Sequence, residues 1–211
     1  VSTRSKFDFK INISSNHEVM RAKTFLTKEP EMIKWIYSFE KRAKSKSFTF
    51  YDIGANIGIY SLFTALKYPK AFIFSFEPEG LNFSSLCSNI YINKISNINP
   101  YQIGISASSG FKDLHVGIME SGAGAAAIND DYKFVNSNYF FKQGLYCVGL
   151  DDLVYRNNFK FPTFIKIDVD GHESYILKGA KKLLKDKRLK GIIIEFEYSN
   201  DNEKDKLIKY F

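Results

Sequence analysis

The stretch Phe50-Tyr-Asp-Ile-Gly-Ala-Asn-Ile-Gly-Ile-Tyr60 places an apolar strand, a glycine turn and a helix start in immediate succession. Gly54 permits a tight turn at the carboxyl end of the strand, and Gly58 permits the following helix to approach a ligand closely. A strand–turn–helix unit of this kind belongs to a parallel sheet whose ligands sit beyond the carboxyl ends of its strands. Outward from it, the pattern repeats. Ala71 to Phe76 reads as a second strand followed by a helix from about Leu81 to Asn93, and a third apolar run spans Pro100 to Ile105. Phe164 to Val169 and Gly191 to Phe196 read as two more strands, joined by a basic amphipathic helix from about Glu173 to Lys185. Continuous Phe, Ile and Val runs bounded by Gly and Pro predict strands buried on both faces, hence an α/β sheet covered by helices on each side.

Residues 1–46 are polar and mixed and predict an N-terminal extension with one helix, from Pro30 to about Arg42, Pro30 lying in its first turn. Residues 47–211 predict the main domain. Inside it, an insertion at about 107–150 breaks the alternation. There Leu114 to Met119 and Tyr146 to Leu150 read as short antiparallel strands around the small-residue run Ser121 to Ala127, which is expected to wall the ligand pocket.

With 211 residues, 45% hydrophobic and 25% charged, the composition is that of a globular domain and excludes collagen-like, disordered and disulfide-scaffold classes. No apolar run approaches the roughly 18 to 20 residues that span a bilayer, so no membrane span is expected. Cys87 and Cys147 stand 60 positions apart and the histidines, His17, His115 and His172, are scattered, so no zinc spacing exists. Reduced thiols, as in a cytoplasmic enzyme, are the expectation. The net charge of +7 draws on a basic cluster from Lys178 to Lys190. Because Ile176, Ala180, Leu183 and Leu184 recur there at helical spacing, the lysines fall on a solvated outer face, and nucleic acid is not the expected partner.

Two acids mark the ligand. Asp52 precedes the glycine turn, and Glu77 in Phe76-Glu77-Pro78 ends the second strand, 19 residues after Gly58. That is near the spacing at which a carboxylate accepts hydrogen bonds from a ribose, so a nucleoside cofactor is indicated. A dinucleotide fingerprint starting at Gly54 would need glycines where Asn56 and Ile59 stand. NAD therefore fits poorly, whereas S-adenosylmethionine, which has no phosphate but has ammonium and carboxylate ends, suits polar side chains such as Asp52 and Asn56.

The strings FYDIGANIGIYSL, FSFEPE, GISASSG, VGLDDL, IKIDVDGHESYILKGAKKLL and IIIEFE, in that order from about Phe25 to Glu197, resemble the FkbM family of S-adenosylmethionine-dependent methyltransferases. The resemblance implies a class I methyltransferase fold, Rossmann-like and doubly wound, with strand order 3-2-1-4-5, and O-methylation of a sugar or other small hydroxylated metabolite. An RNA or protein methyltransferase and a non-catalytic cofactor-binding module are the alternatives. Carried over by position, Tyr51, Asp52, Gly54, Ala55, Asn56 and Gly58 fall in the cofactor loop, Glu77 and Pro78 at the ribose, and Gly104 to Ser106 near the adenine. Asp170-Gly171-His172-Glu173 stands where the family usually has Glu-Gly-Ala-Glu.

The implied strand order also brings Asp52 and Asp168 side by side at the topological switch. Asp168 is expected to orient cofactor or substrate first and to act as a general base second, and no metal is expected because a third oxygen ligand is missing. His172 is a candidate base, since a neutral imidazole takes a hydroxyl proton near pH 7. Glu195, near the end of the fifth strand, is expected at the pocket floor. Tyr198 to Phe211, 14 residues, is too short for the antiparallel strand pair that usually closes this fold, so that pair is expected to be missing.

Overall fold

Strand Thr49–Ile53 is buried along its whole length, and its side chains divide between two cores. Phe48, Phe50 and, from a neighbouring strand, Phe164 enter one core; Tyr51, Ile53, Ile165 and Ile167 enter the other. That division is why the strand shows no polar alternation. The structure, a computed structural model, describes residues 8–124, 126–128 and 141–195.

From the amino end the helices are α1 (Asn16–Lys28), α2 (Pro30–Tyr37), α3 (Phe39–Ala43), α4 (Ile59–Lys67), α5 (Gly80–Ile92), α6 (Leu150–Tyr155) and α7 (Glu173–Lys178). The strands are β1 (Thr49–Ile53), β2 (Phe72–Phe76), β3 (Ile98–Tyr101), β4 (Gly104–Ile105), β5 (Gly110–Val116), β6 (Ala126–Ile128), β7 (Phe141–Val148), β8 (Phe164–Ile167) and β9 (Gly191–Ile194). Five of them form a parallel sheet in the order β3-β2-β1-β8-β9, the 3-2-1-4-5 order of a class I methyltransferase. The order reverses at β1, which pairs Ile53 with Phe76 on one side and with Ile167 on the other. Pro100 sits in β3, an edge strand, where its missing N–H interrupts no ladder.

The insertion builds a second sheet, β4-β7-β5-β6. Both expected antiparallel strands are present, longer than the sequence pattern suggested, and paired from Gly110↔Cys147 to Val116↔Phe141. The small-residue run is not wholly loop, because Ala126–Ile128 pairs antiparallel with β5 and closes a small core with Leu114, Val116, Leu145 and Cys147.

Three helical expectations need correction. The helix expected from Pro30 to Arg42 is two helices broken at Ser38, whose hydroxyl donates to the Trp35 carbonyl and ends the first. The basic helix stops as an α-helix at Lys178, continuing after Gly179 as turns and a short 3₁₀ segment at Leu183–Lys185. A Cβ at Gly179 would lie 2.2 Å from the Ser106 carbonyl oxygen, so this close approach requires glycine. Within 1–46 the sequence reading also passed over α1. That helix starts at a capping box, Ser15 with Glu18, and its Ala22 and Phe25 join Phe9, Ile11, Met32, Ile36 and Phe39 in the main core. The expectation of a missing strand pair falls on 198–211, outside the described residues.

Candidate active site

The turn after β1 is shaped by what surrounds it. At Gly54, φ is +74°, and a Cβ would fall 1.8 Å from the Asp168 carbonyl oxygen, so only glycine lets this turn pass β8. Asn56 also has positive φ, a conformation asparagine tolerates. Its N–H donates to Glu77 Oε2 at 2.7 Å, its Oδ1 accepts from the Ile57 N–H, and its Nδ2 donates to the Ala123 carbonyl at 2.9 Å. One residue thereby joins the turn to the acid of β2 and to the insertion.

Beyond the carboxyl ends of β1, β2 and β8 lies an open cleft. Of the expected site residues, Gly54, Asn56, Glu77, Pro78, Gly104, Asp168, His172 and Glu195 line it. A smaller pocket shares Gly54, Asn56 and Asp168 with it and adds Ala55. Four expected residues line neither. Tyr51 is buried in the core on one face of the sheet, its hydroxyl donating to the Lys160 carbonyl. Gly58 has φ +86°, a left-handed conformation that favours glycine, and a Cβ there would also meet Leu86 of α5 at 2.3 Å, so backbone geometry and packing explain this glycine. Ser106 is buried behind the lining, where its hydroxyl meets His172 Nε2 at 3.0 Å and accepts from Lys112 Nζ at 3.0 Å. Asp52 is the fourth, and it anchors a chain of charges.

Asp52 is fully buried, with Oδ2 accepting from Ser61 Oγ at 2.6 Å and Oδ1 facing Lys166 Nζ at 3.2 Å. Lys166, on β8 and also buried, sits 3.0 Å from Asp168 Oδ2 and donates to the Gly54 carbonyl at 3.3 Å. Asp52 and Asp168 are therefore not two carboxylates sharing the crevice; a buried ammonium lies between them, and only Asp168 reaches the cleft. Burial pulls Lys166 down, but the Asp168 and Asp52 carboxylates outweigh it and its affinity for the proton rises. Asp168 is pushed up by burial and down more strongly by Lys166 and by hydrogen bonds from Glu195 and Lys166, for a net lowering. Glu195 is its hydrogen-bond partner: burial, with the Asp168 charge adding to it, pushes this carboxyl up to about 7. As pH falls, Glu195 rather than Asp168 is therefore the carboxyl of the pair that takes up a proton first.

Glu77 lines the cleft from the end of β2, on the opposite side of β1 from Asp168. Its oxygens accept the N–H groups of Asn56 and Glu79, and burial pushes it up to about 7 in spite of those bonds. Each oxygen retains a lone pair for a further donor. His172, at the start of α7, stacks on Tyr175 with ring centroids 4.8 Å apart, so Tyr175 and Ser106 fix its orientation.

The sequence reading did not single out Lys166, Arg21, Lys28 or Asn82. Lys166 hides in the apolar run Phe164–Ile167, where a lone lysine between isoleucines is itself the signal of a buried, paired cation. Arg21 and Lys28 reach both cavities from α1. Asn82 Oδ1 accepts the Gly122 N–H at 2.7 Å and its Nδ2 donates to the Ala123 carbonyl, holding the 121–124 segment against the cleft that Ala123 and Gly124 line. Among the described residues, no group of three or more His, Cys, Asp or Glu is placed to hold a metal ion, and no helix is long and apolar enough to cross a membrane.

Residues 52–211 match the family model of the methyltransferase FkbM domain. The chain is similar to methyltransferase sdnD of Sordaria araneosa, 42% identical over 60 residues that make up 28% of this chain and 23% of that protein. It is similar to the hexuronic acid methyltransferase AglP of Haloferax volcanii, 28% identical over 134 residues, 64% of this chain and 50% of that one. The crystal structure of a methyltransferase FkbM from Methylobacillus flagellatus KT shares the fold, with a TM-score of 0.54 at 19% identity over 94% of this chain and 48% of that one. In each case the matched part is half or less of the relative's length.

Proposed function

The chain belongs to the FkbM methyltransferase family, and from that membership and the geometry of the cleft we propose that it methylates a hydroxyl group of a small acceptor, a sugar or similar metabolite, using S-adenosylmethionine. The observation that carries the proposal is the placement in one cleft of Glu77 at the end of β2 with Asp168 and Glu195 just past β8 and β9. The name of the Haloferax volcanii relative contains a hexuronic acid, which supports a sugar acceptor.

The residues present fit the cofactor. Glu77 offers its remaining lone pairs to the ribose hydroxyls, and Gly104, with Ile103 and Ile105, gives a flat apolar wall for the base. A Cβ at Gly104 would lie 2.7 Å from Cys147 Sγ, so this wall needs glycine as well. Asp168 presents a carboxylate to the cationic end, kept ionised by Lys166. The start of α4 has no side-chain cap and no acid in its first turn, which leaves its N–H groups for the cofactor carboxylate. When bound, the cofactor supplies an electrophilic methyl group on a sulfonium centre. The protein then has to align the acceptor oxygen and remove its proton.

Glu195 is the proposed proton acceptor. Because burial and the neighbouring Asp168 charge raise its carboxyl to about 7, it is a base above that pH and a protonated, inactive acid below it. The expected kcat/KM therefore falls as pH drops below about 7. Release of S-adenosylhomocysteine across a panel of hydroxylated acceptors measures this directly. Glu195→Gln should lower the rate roughly 10²- to 10⁴-fold and remove the acid limb, while His172→Ala should leave the limb in place. If His172→Ala removes the limb and Glu195→Gln keeps it, the base is His172. A rate that depends steeply on salt, with an RNA as the best acceptor, would favour the polymer reading over the small-molecule one.

A further inference from the structure

On α1, Arg21, Thr24, Phe25 and Lys28 stand at i, i+3, i+4 and i+7, so they share one face of the helix. All four line the smaller cavity, and Arg21 and Lys28 line the main cleft as well. They lie at the end where Asp168 and Glu195 sit: Lys28 Nζ is 3.9 Å from Glu195 Oε1, and the Arg21 charge acts on Asp168. Two cations beside the reacting end of a cleft need a reason.

Among the described residues Arg21 has no carboxylate partner of its own, and Lys28, although it pairs with Glu29 and reaches Glu195, keeps its ammonium accessible. Arg21 Nε donates to the Gly122 carbonyl, and no carboxylate pairs with its guanidinium at salt-bridge distance among the described residues. Its other N–H donors form a planar fork suited to a carboxylate. Lys28 Nζ is 3.2 Å from Glu29 Oε1, but the other Glu29 oxygen is occupied by the Tyr60 hydroxyl at 2.7 Å, and Lys28 itself remains largely exposed. The helix that carries them is fixed. Glu18, buried at its start, accepts from the hydroxyls of Ser85 at 2.9 Å and Ser121 at 2.7 Å as well as closing the capping box. The backbone that carries Arg21 and Lys28 is thus in place before any ligand arrives, which lowers the ordering cost of binding one.

We propose that Arg21 and Lys28 form a binding site for an acidic group on the acceptor, so that the preferred substrate is a hydroxylated acid rather than a neutral polyol. The proposal rests on the methyl-transfer reading given above. In that reading the cofactor's own carboxylate is assigned to the uncapped start of α4, which leaves the two cations for the acceptor; the affinity of the variants for S-adenosylhomocysteine tests that assignment. An acceptor carboxylate bound by this pair would place a hydroxyl on the same small molecule next to Asp168 and Glu195.

The test uses paired acceptors that differ at one group, glucuronic acid against glucose and galacturonic acid against galactose, with S-adenosylhomocysteine release as the readout. Arg21→Met and Lys28→Met keep chain length and remove the charge. The acid of each pair should be preferred at least tenfold in kcat/KM. Assayed well above pH 7, where Glu195 is ionised with or without the Lys28 charge that helps hold its carboxyl down, each variant should lose roughly tenfold to 150-fold on the acid, the range of a charged hydrogen bond, and less than about threefold on the neutral partner. Calorimetric affinity for S-adenosylhomocysteine should change less than about threefold, and the acid preference should shrink as salt is raised. The proposal is overturned if the neutral sugars are used as well as the acids, or if no acid is methylated by a protein that binds S-adenosylhomocysteine. It is also overturned if the variants lose S-adenosylhomocysteine affinity in step with turnover, which would place the pair at the cofactor tail. A wild-type protein that binds no S-adenosylhomocysteine would instead remove the methyl-transfer reading beneath it.

Discussion

Lys166 decides the charge state of the site's floor. It is buried among apolar strands, and its ammonium meets Asp52 at 3.2 Å, Asp168 at 3.0 Å and the Gly54 carbonyl at 3.3 Å. Removing one member of a buried ion cluster strands the others, a loss of about 3 to 5 kcal/mol. Lys166→Met should destabilise the protein by about that much in denaturant unfolding, and adding Asp52→Asn should recover part of it by neutralising the stranded partner. A Lys166→Met protein as stable as wild type would show that the cluster is solvated. The sequence displays Asp52, Lys166 and Asp168 plainly, but not their arrangement. Two acids one strand apart look like a shared crevice until the lysine between them is placed, and alternation along β8 cannot say that its side chain turns toward the turn after β1.

At the scale of elements, α1 and the 121–124 segment form one unit. Ser15 caps the helix and its hydroxyl also donates to the Ser121 carbonyl, while Glu18 gathers the hydroxyls of Ser14, Ser85 and Ser121. Those bonds, beginning with the Ser14 N–H, overcome the upward push of burial and hold the Glu18 carboxyl below its usual range. Glu18→Ala removes the capping box and leaves buried hydroxyls without an acceptor, so a loss of about 2 to 4 kcal/mol is expected. Hydrogen exchange should rise at residues 121–124 in the same variant; protection there equal to wild type would mean that Asn56 and Asn82 hold the segment alone. The Ser15-x-x-Glu18 signature was present in the sequence. It was obscured because Met20 and Leu26 are exposed while Glu18 is buried, the reverse of an ordinary amphipathic stripe. Gly54 and Gly58 both take positive φ, as a glycine turn in the sequence announces, whereas the closeness of Gly58 to the distant Leu86 has no local signature.

In the whole molecule, the cleft arises where the five-stranded parallel sheet reverses its order at β1 and where the second sheet covers one side. The parallel core was legible because strands buried on both faces leave continuous apolar runs, and its order followed from family resemblance rather than from spacing. The covering sheet was legible only as a break in that alternation. The proposed nucleoside cofactor, with Glu77 at its ribose, is what would unite these parts, and calorimetric titration with S-adenosylhomocysteine tests this most directly. The wild-type protein should bind one equivalent, and Glu77→Gln should weaken it roughly tenfold to 150-fold, the effect of about 1.5 to 3 kcal/mol for a charged hydrogen bond. No heat with S-adenosylhomocysteine from the folded protein while NAD binds, or an affinity unchanged in Glu77→Gln, would contradict it.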